Sequence, residues 1–246
     1  MTDGDKQAAP VEISVVIPAY DEEEAIARCL SEVKRVMDSL GRPYEIVVVD
    51  DGSRDATFEI LREHRKTMPE LVALRFDRNN GQTAAFDAGF KAARGEIIVT
   101  MDADLQNDPA DIPRLVELVG QWPLVNGYRQ KRRDSLVRKV SSKIGNGVRN
   151  RLTGRTVRDV GCSIRAFRAE CVRGLPLFEG MHRFLPTLIK MRGYEMTEIP
   201  VNHRPRALGK SKYGVLNRAF KGLRDLFAVR WMQRRWLRYR VEEKLG

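Results

Sequence analysis

The sequence predicts an α/β fold in which helices cover both faces of a mostly parallel central sheet and a C-terminal amphipathic helix follows. Three observations support this prediction. Short runs rich in valine and isoleucine alternate with longer segments whose apolar residues recur every three or four positions. Nearly continuous apolar runs are typical of parallel strands that are buried on both faces. Polar and acidic clusters follow several of these runs, at the sheet edge where such folds bind their ligands.

The strands and helices are predicted in the following order. In the first half we place strands over 13–17, 44–49, 71–76 and 96–101, with Pro18 ending the first strand, and helices over 22–40, from 55 onward and over 82–93. In the second half we expect strands over 125–129, 163–168 and 194–201, a helix near 181–192 and a basic helix pair within 131–158. A helix with an apolar stripe begins at Val215.

These elements divide the chain into three predicted segments. Residues 1–10 are polar and are expected to form a flexible N-terminus, 11–214 form the α/β catalytic domain, and 215–246 form a basic amphipathic juxtamembrane helix and tail. No stretch approaches the length of uninterrupted apolar sequence that a membrane span needs, about 18 residues or more, so we expect no transmembrane helix. The three cysteines contain no CxxC pair and indicate neither a disulfide framework nor a zinc site.

The charge of the chain indicates an anionic partner. Its 246 residues carry a formal net charge of +11, while the hydrophobic content of 42% fits a folded protein. Nucleic acid, a membrane surface and a phosphorylated substrate would each suit such a charge. Residues 131–158 and the loop 202–214 hold many of the basic side chains.

The segment 102–106, Asp-Ala-Asp-Leu-Gln, is the most informative short stretch. It directly follows a predicted buried strand, and the carboxylates of Asp102 and Asp104 can therefore reach a common ion. A hard divalent cation takes oxygen ligands and commonly also binds substrate phosphates. An isolated pair of this kind is more often a solvated acidic loop, but its place at a strand end, with Gln106 following, favours a metal site.

Two further clusters also follow predicted strands. The carboxylates of 50–53 could accept hydrogen bonds from a base or ribose, or Ser53 could simply cap the next helix. Tyr20 and Glu22 could frame a nucleobase, although acidic residues are ordinary at a helix start. The chain has no GxGxxG after its first strand, which excludes a nicotinamide oxidoreductase, and no GxxxxGK[ST], which removes the main support for a P-loop protein.

Eight blocks of sequence, in this order and spacing, resemble one protein family. Four of them are typical of family 2 glycosyltransferases with the GT-A fold, namely 17–22, 48–53, 79–81 and 102–106. Four later blocks resemble the polyprenyl-phosphate branch, which is similar to dolichol-phosphate mannosyltransferases: 127–129, 138–142 with Asn146, 159–165 and 206–213. The similarity extends from Val11 to Trp231. Two positions depart from the family, because Asp21 stands where asparagine is usual and Cys162 where many relatives have glycine.

The resemblance implies a role for each residue of a candidate site. The nucleoside would be held by Pro18, Tyr20, Glu22, Val49 and Asp51. Mg²⁺ or Mn²⁺ would be bound by Asp102, Asp104 and Gln106, with Ala103 against the donor. The donor diphosphate would be contacted by Arg129, Arg206 and Lys212, and the lipid phosphate by Arg138 and Ser142.

The implied reaction moves a sugar, with inversion, from a nucleoside-diphosphate sugar such as GDP-mannose or a UDP-hexose to dolichyl or undecaprenyl phosphate. Because this acceptor is already anionic, the reaction depends on cations that hold two anions in line. Asp104 and Asp159 are the catalytic candidates. Asp159 stands where the family has an active-site aspartate, and it could act as a base, orient an arginine or serve as a structural ion-pair partner.

The basic helix that begins at Val215 indicates the cellular location of the protein. Its aromatic, amphipathic pattern suits peripheral attachment to the cytoplasmic face of a membrane, or docking on a small membrane subunit. Two alternatives to the main interpretation remain. A family 2 enzyme could extend a soluble glycan, although a hydroxyl acceptor would not demand the basic blocks at 138–142 and 206–213. A nucleic-acid-binding protein would leave the carboxylates at the strand ends unexplained, so we expect no nucleic-acid partner.

Overall fold

The structure, a computed structural model, describes residues 10–130, 154, 157–205, 215–237 and 242–243. The chain forms two compact units, one of residues 1–134 with 157–212 and the other of 135–156 with 213–246. Of the predicted segments, the N-terminus before Pro10 and most of the basic helix pair lie outside the described residues.

The described part of the first unit contains seven strands and five α-helices. The strands are β1 (Ile13–Ala19), β2 (Tyr44–Asp50), β3 (Leu71–Arg75), β4 (Ile97–Thr100), β5 (Leu124–Arg129), β6 (Arg165–Arg168) and β7 (Met196–Val201). The helices are α1 (Ile26–Leu40), α2 (Thr57–Arg65), α3 (Gln82–Ala92), α4 (Ile112–Val119) and α5 (Leu185–Met191). Short 3₁₀ turns lie at Pro109–Asp111, Ala169–Cys171 and Met181–Phe184.

The seven strands form one sheet in the order β3-β2-β1-β4-β6-β5-β7. Strands β3, β2, β1 and β4 are parallel, whereas β6 runs antiparallel to both β4 and β5, and β7 is parallel to β5. The prediction of a mostly parallel, helix-covered sheet is therefore confirmed. Because β1, β2 and β4 are parallel neighbours, the polar clusters that follow them meet at one edge of the sheet.

The prediction that Pro18 ends the first strand was wrong, because β1 continues to Ala19. Proline lacks a backbone N–H and disrupts a ladder only where that group is needed. The backbone N–H and C=O groups of alternate residues of β1, including Val16 and the position of Pro18, point toward β4. The pairing of β1 with β4 ends at Val16 and Thr100. Pro18 thus lies beyond the last pair on that side and still lies opposite Val49 of β2.

Helix α4 was missed by the sequence analysis, although its pattern was available. Four of its apolar residues are buried and are spaced i, i+3, i+4 and i+7: Ile112, Leu115, Val116 and Val119. Pro113 lies at the start of the helix, where a missing N–H costs nothing. The predicted helix near 181–192 is divided into a 3₁₀ turn and α5.

In the second unit, the helix predicted from Val215 is present as α6 (Val215–Arg235). Its described apolar side chains include both buried and exposed members. Leu226 and Val229 are buried, whereas Phe227 is 57% exposed and Trp231 is 65% exposed. Among the residues that the structure describes, no helix combines the length and hydropathy needed to cross a bilayer.

Candidate functional site

The loop after β1 is fastened to the turn after β2. The N–H of Asp21 donates to the Ser53 hydroxyl at 2.9 Å, and the N–H of Arg54 donates to Oδ1 of Asp21 at 2.8 Å. Asp21 adopts a left-handed φ of 47°, which asparagine and aspartate tolerate better than most residues. The departure from asparagine at this position therefore preserves the turn. The predicted nucleoside residues Tyr20 and Glu22 lie on this loop.

Asp51 organises the start of helix α3. Its carboxylate accepts hydrogen bonds from the side chain of Asn79 at 3.0 Å, the N–H of Asn80 at 2.7 Å and the N–H of Gly81 at 2.9 Å. Burial raises the pKa of Asp51 above its ordinary value, while the two backbone hydrogen bonds act in the opposite direction. The carboxylate thus holds the turn before α3, and its predicted contact with the nucleoside stays a prediction.

The loop after β4 brings two carboxylates together. Oδ1 of Asp102 accepts from the side-chain amide of Gln82 at 2.9 Å, and Oδ1 of Asp104 accepts from the N–H of Gln106 at 3.2 Å. Leu105, between Asp104 and Gln106, has a left-handed φ of 61°, an uncommon backbone for a leucine. Such strain is retained when the surrounding structure demands it, and it is frequent at functional sites.

The electrostatics of this loop fit a cation. The pKa of Asp102 is raised to about 6, first by burial and second by the nearby carboxylate of Asp104, against hydrogen bonds from Ser163 and Gln82 and the charge of Arg165. No group of three or more His, Cys, Asp or Glu side chains suited to a metal occurs among the described residues. Two carboxylates and the amide oxygen of Gln106 are nevertheless oxygen donors of the kind that Mg²⁺ and Mn²⁺ prefer.

Arg129, at the end of β5, is held by Asp159. Its Nε and Nη2 donate to the two carboxylate oxygens at 2.6 and 2.9 Å, and its own N–H donates to Oδ2 at 3.3 Å. Asp159 is buried, and the N–H of Gly161 donates to its Oδ1 at 3.2 Å. A two-pronged ion pair fixes the plane of the guanidinium. Of the three roles considered for Asp159, this geometry fits two, the orientation of an arginine and a structural ion pair.

Arg165, at the start of β6, was not selected as a site residue from the sequence. Its buried guanidinium donates to Oδ1 of Asn126 at 2.8 Å and to the carbonyl of Cys162 at 2.6 Å. Burial lowers its pKa, and the charges of Asp102 and Asp159 act in the opposite direction. Arg165 therefore brings a buried positive charge within electrostatic range of both Asp102 and Asp159. An arginine interrupting an apolar run was the signal that could have revealed it.

The loop 180–182 is attached to α3 next to Gln82, the residue that holds Asp102. The Thr83 hydroxyl lies 2.8 Å from Nδ1 of His182 and accepts from the N–H of Gly180 at 3.0 Å. Because Gln82, the neighbour of Thr83, holds Asp102, this contact joins the loop to the candidate metal site. The sequence analysis did not include His182 or Thr83 in the site.

The structure describes the positions of some of the predicted site residues, and the others lie outside the described residues. The described members lie at the carboxyl ends of β1, β2, β4 and β5 or on the loops that follow: Pro18, Tyr20, Glu22, Val49, Asp51, Asp102, Ala103, Asp104, Gln106, Arg129 and Asp159. The remaining four lie outside the described residues: Arg138, Ser142, Arg206 and Lys212. The roles of all these residues stay predictions.

Residues 14–175 match the model of a family described as Glycosyl transferase family 2. The chain belongs to this family. It is 41% identical over 206 residues to an undecaprenyl-phosphate 4-deoxy-4-formamido-L-arabinose transferase of Edwardsiella ictaluri, covering 83% of this chain and 63% of the relative. A protein of the same description from Aeromonas hydrophila is 39% identical, with 83% and 64% covered. The family 2 chain thus spans slightly less than two thirds of these relatives.

Solved structures of low sequence identity share the fold. Glucosyl-3-phosphoglycerate synthase of Mycobacterium tuberculosis, in complex with Mn²⁺, UDP and glucosyl-3-phosphoglycerate, superposes with a TM-score of 0.67 at 19% identity, covering 92% of this chain and 80% of that one. A mannosyltransferase of Pyrobaculum calidifontis, in complex with GDP-Man and Mn²⁺, gives 0.65 at 21% identity, covering 90% and 66%. The predicted GT-A fold of this family 2 glycosyltransferase is confirmed.

Proposed function

We propose that this chain transfers a sugar, with inversion, from a nucleoside-diphosphate sugar to a polyprenyl phosphate. The observation that carries the proposal is the pair of mutually repelling carboxylates, Asp102 and Asp104, at the sheet edge where Arg165 and Arg129 are also held. Such an edge binds a cation and an anionic donor together. The acceptor class rests on the two relatives described above, whose names specify undecaprenyl phosphate.

Asp102, Asp104 and Gln106 would bind Mg²⁺ or Mn²⁺. The bound ion would neutralise charge on the diphosphate leaving group. Two structural neighbours contain Mn²⁺ together with a nucleotide, which supports a divalent cofactor here. Asp159 acts through Arg129 by fixing its guanidinium toward the diphosphate, since an anionic acceptor needs little help from a base.

The remaining predicted residues would complete the two substrate sites. The nucleoside lies against Pro18, Tyr20, Glu22, Val49 and Asp51, the donor sugar against Ala103, and the diphosphate against Arg129, Arg206 and Lys212. The lipid phosphate is held by Arg138 and Ser142. Planar guanidinium groups suit phosphate oxygens, so arginines on both sides offset the repulsion between the two anions.

The segment 215–246 would attach the catalytic domain, 11–214, to the cytoplasmic face of the membrane. Phe227 and Trp231 are both exposed, four positions apart, and therefore lie on one side of α6. Arg224, Arg230 and Arg234 accompany them on the same helix. Apolar side chains beside basic ones suit an anionic lipid surface. Docking on a small membrane subunit is the alternative partner.

Direct assay of the transfer tests the proposal. The protein is incubated with Mg²⁺ or Mn²⁺, a short polyprenyl phosphate and a panel of donors: GDP-mannose, UDP-glucose and UDP-4-deoxy-4-formamido-L-arabinose. We expect one donor to give a polyprenyl-phosphate sugar whose anomeric configuration is opposite to that of the donor. Transfer to a soluble glycan hydroxyl in preference to the lipid phosphate, or retention of configuration, would contradict the proposal.

A further inference from the structure

The segment that follows β7 is fastened to the loop that carries the candidate metal ligands. Asn202 donates its N–H to Asp111 at 2.7 Å, and His203 forms an isolated antiparallel bridge with Asn107. The N–H of Arg204 donates to the carbonyl of Gln106 at 2.9 Å. Three successive residues of one segment thus contact the loop 106–111.

The side chain of Arg204 adds a second set of contacts to this attachment. Its Nη2 donates to Oδ1 of Asp108 at 2.7 Å, and its Nη1 donates to Oε2 of Glu32, on α1, at 2.5 Å. Glu32 also accepts from Arg28 at 2.8 Å, so this carboxylate lies between two cations. Burial acts to raise the pKa of Glu32, but the hydrogen bonds and charges of Arg204 and Arg28 together hold it below its ordinary value.

The contacts of Arg204 are made beside a candidate metal ligand. Gln106, whose carbonyl receives the Arg204 N–H, is a candidate metal ligand through its side chain. A rigid guanidinium that bridges two carboxylates has little freedom to shift. Displacing it would therefore disturb the metal loop, because Arg204 holds the carbonyl of Gln106 and the carboxylate of Asp108.

We infer that Arg204 is a positioning residue that holds the loop 106–108 in place for metal binding, and that it contacts neither the metal nor the nucleotide itself. The inference rests on the proposed function. It predicts that replacing Arg204 raises the metal concentration needed for nucleotide binding, while the free energy of unfolding changes little. Loss of the bridge releases the loop 106–108 from α1, while the sheet and the core beneath it remain intact.

The test measures binding of UDP and GDP by titration calorimetry at a series of Mn²⁺ concentrations, with thermal unfolding followed in parallel. For Arg204→Ala we expect the Mn²⁺ concentration for half-maximal nucleotide binding to rise at least about tenfold, because two charge-assisted hydrogen bonds are lost. Arg204→Lys keeps the charge but not the planar two-carboxylate bridge, so an intermediate requirement is expected. The lysine variant also keeps the test usable if the alanine variant does not fold.

Arg42→Ala provides the matched control. Arg42 forms a comparable two-pronged ion pair with Glu12, at 2.7 and 2.8 Å, beside the amino ends of β1 and β2. This variant should lower stability by a similar amount and leave the Mn²⁺ requirement unchanged. An unchanged requirement in Arg204→Ala, or an equal change in both variants, overturns the inference alone. If the parental chain binds neither nucleotide in a Mn²⁺-dependent way, the proposed function fails and the inference fails with it.

Discussion

At the scale of single residues, the carboxylate of Asp102 lowers the stability of the folded chain whenever it is ionised. Its pKa is about 6 in the folded protein, against an ordinary value of 3.8. Between these two values the folded chain holds a proton that the unfolded chain has lost, so stability falls as the pH rises through this window. The full penalty therefore applies above pH 6.

Removal of this charge should therefore stabilise the metal-free protein. We expect Asp102→Asn to raise the thermal midpoint at pH 7.5 in EDTA, with an advantage over the parental chain that shrinks as the pH falls from 6 to 4. The same variant, and Asp104→Asn, should lose Mn²⁺-dependent nucleotide binding. Asp87→Asn, which removes an exposed carboxylate paired with Lys91, is the control and should change neither property. A lower midpoint for Asp102→Asn at every pH would contradict the account.

At the scale of elements, the turn after β2 determines where α3 begins. Gly52 has a φ of +70°, and a Cβ placed on it would lie 2.4 Å from the backbone carbon of Arg78. This close approach brings Asp51 within reach of the turn 79–81 that starts α3. Gln82, the first residue of α3, then holds Asp102. Gly52 therefore affects the ends of two strands, β2 through Asp51 and β4 through Asp102.

Gly52→Ala should consequently be more harmful than an ordinary left-handed glycine replacement. Gly41 has a similar φ of +62° with nothing within 4 Å of the added Cβ, so Gly41→Ala should cost only the left-handed conformation, about 1 kcal/mol. For Gly52→Ala the backbone must also shift, and we expect a loss of at least about 2 kcal/mol together with weaker nucleotide binding. Denaturant unfolding measures the loss in unfolding free energy for both variants. Equal losses would mean that the close approach of Gly52 to Arg78 does not contribute to stability.

At the scale of the whole molecule, the basic charge and the exposed side chains of α6 determine the expected location. The chain carries +11, and each Lys or Arg close to an anionic membrane contributes about 1 kcal/mol of attraction. Burial of the exposed rings of Phe227 and Trp231 would add to this attraction. If the arginines served only to keep the helix soluble, the rings of Phe227 and Trp231 would stay in water and would stabilise nothing.

Vesicle co-sedimentation at low salt distinguishes these possibilities. The intact chain should sediment with anionic vesicles and much less with neutral ones. Replacement of Phe227 and Trp231 by alanine should reduce binding to anionic vesicles, whereas Phe178→Ala, which removes a ring of similar exposure from the first unit, should not. An intact chain that stays in the supernatant would exclude direct attachment and favour a membrane subunit as partner.

The sequence alone was sufficient for the fold class and for the location of the candidate metal ligands. Apolar periodicity reports local structure, so strands such as β2 and β4 could be placed from neighbouring residues. Since parallel strands end at a common edge, the clusters that follow them could be assigned to one site. The family resemblance was also visible, because its motifs occupy continuous short blocks.

Only the tertiary structure decided how these pieces are held. The antiparallel β6 between β4 and β5, the continuation of β1 through Pro18 and the use of Asp51 to hold α3 each depend on which strands and turns become neighbours. The bridge from Arg204 to Glu32 joins residues 172 positions apart. Local patterns contain no information on such a contact, because its partners meet only after the sheet has assembled around them.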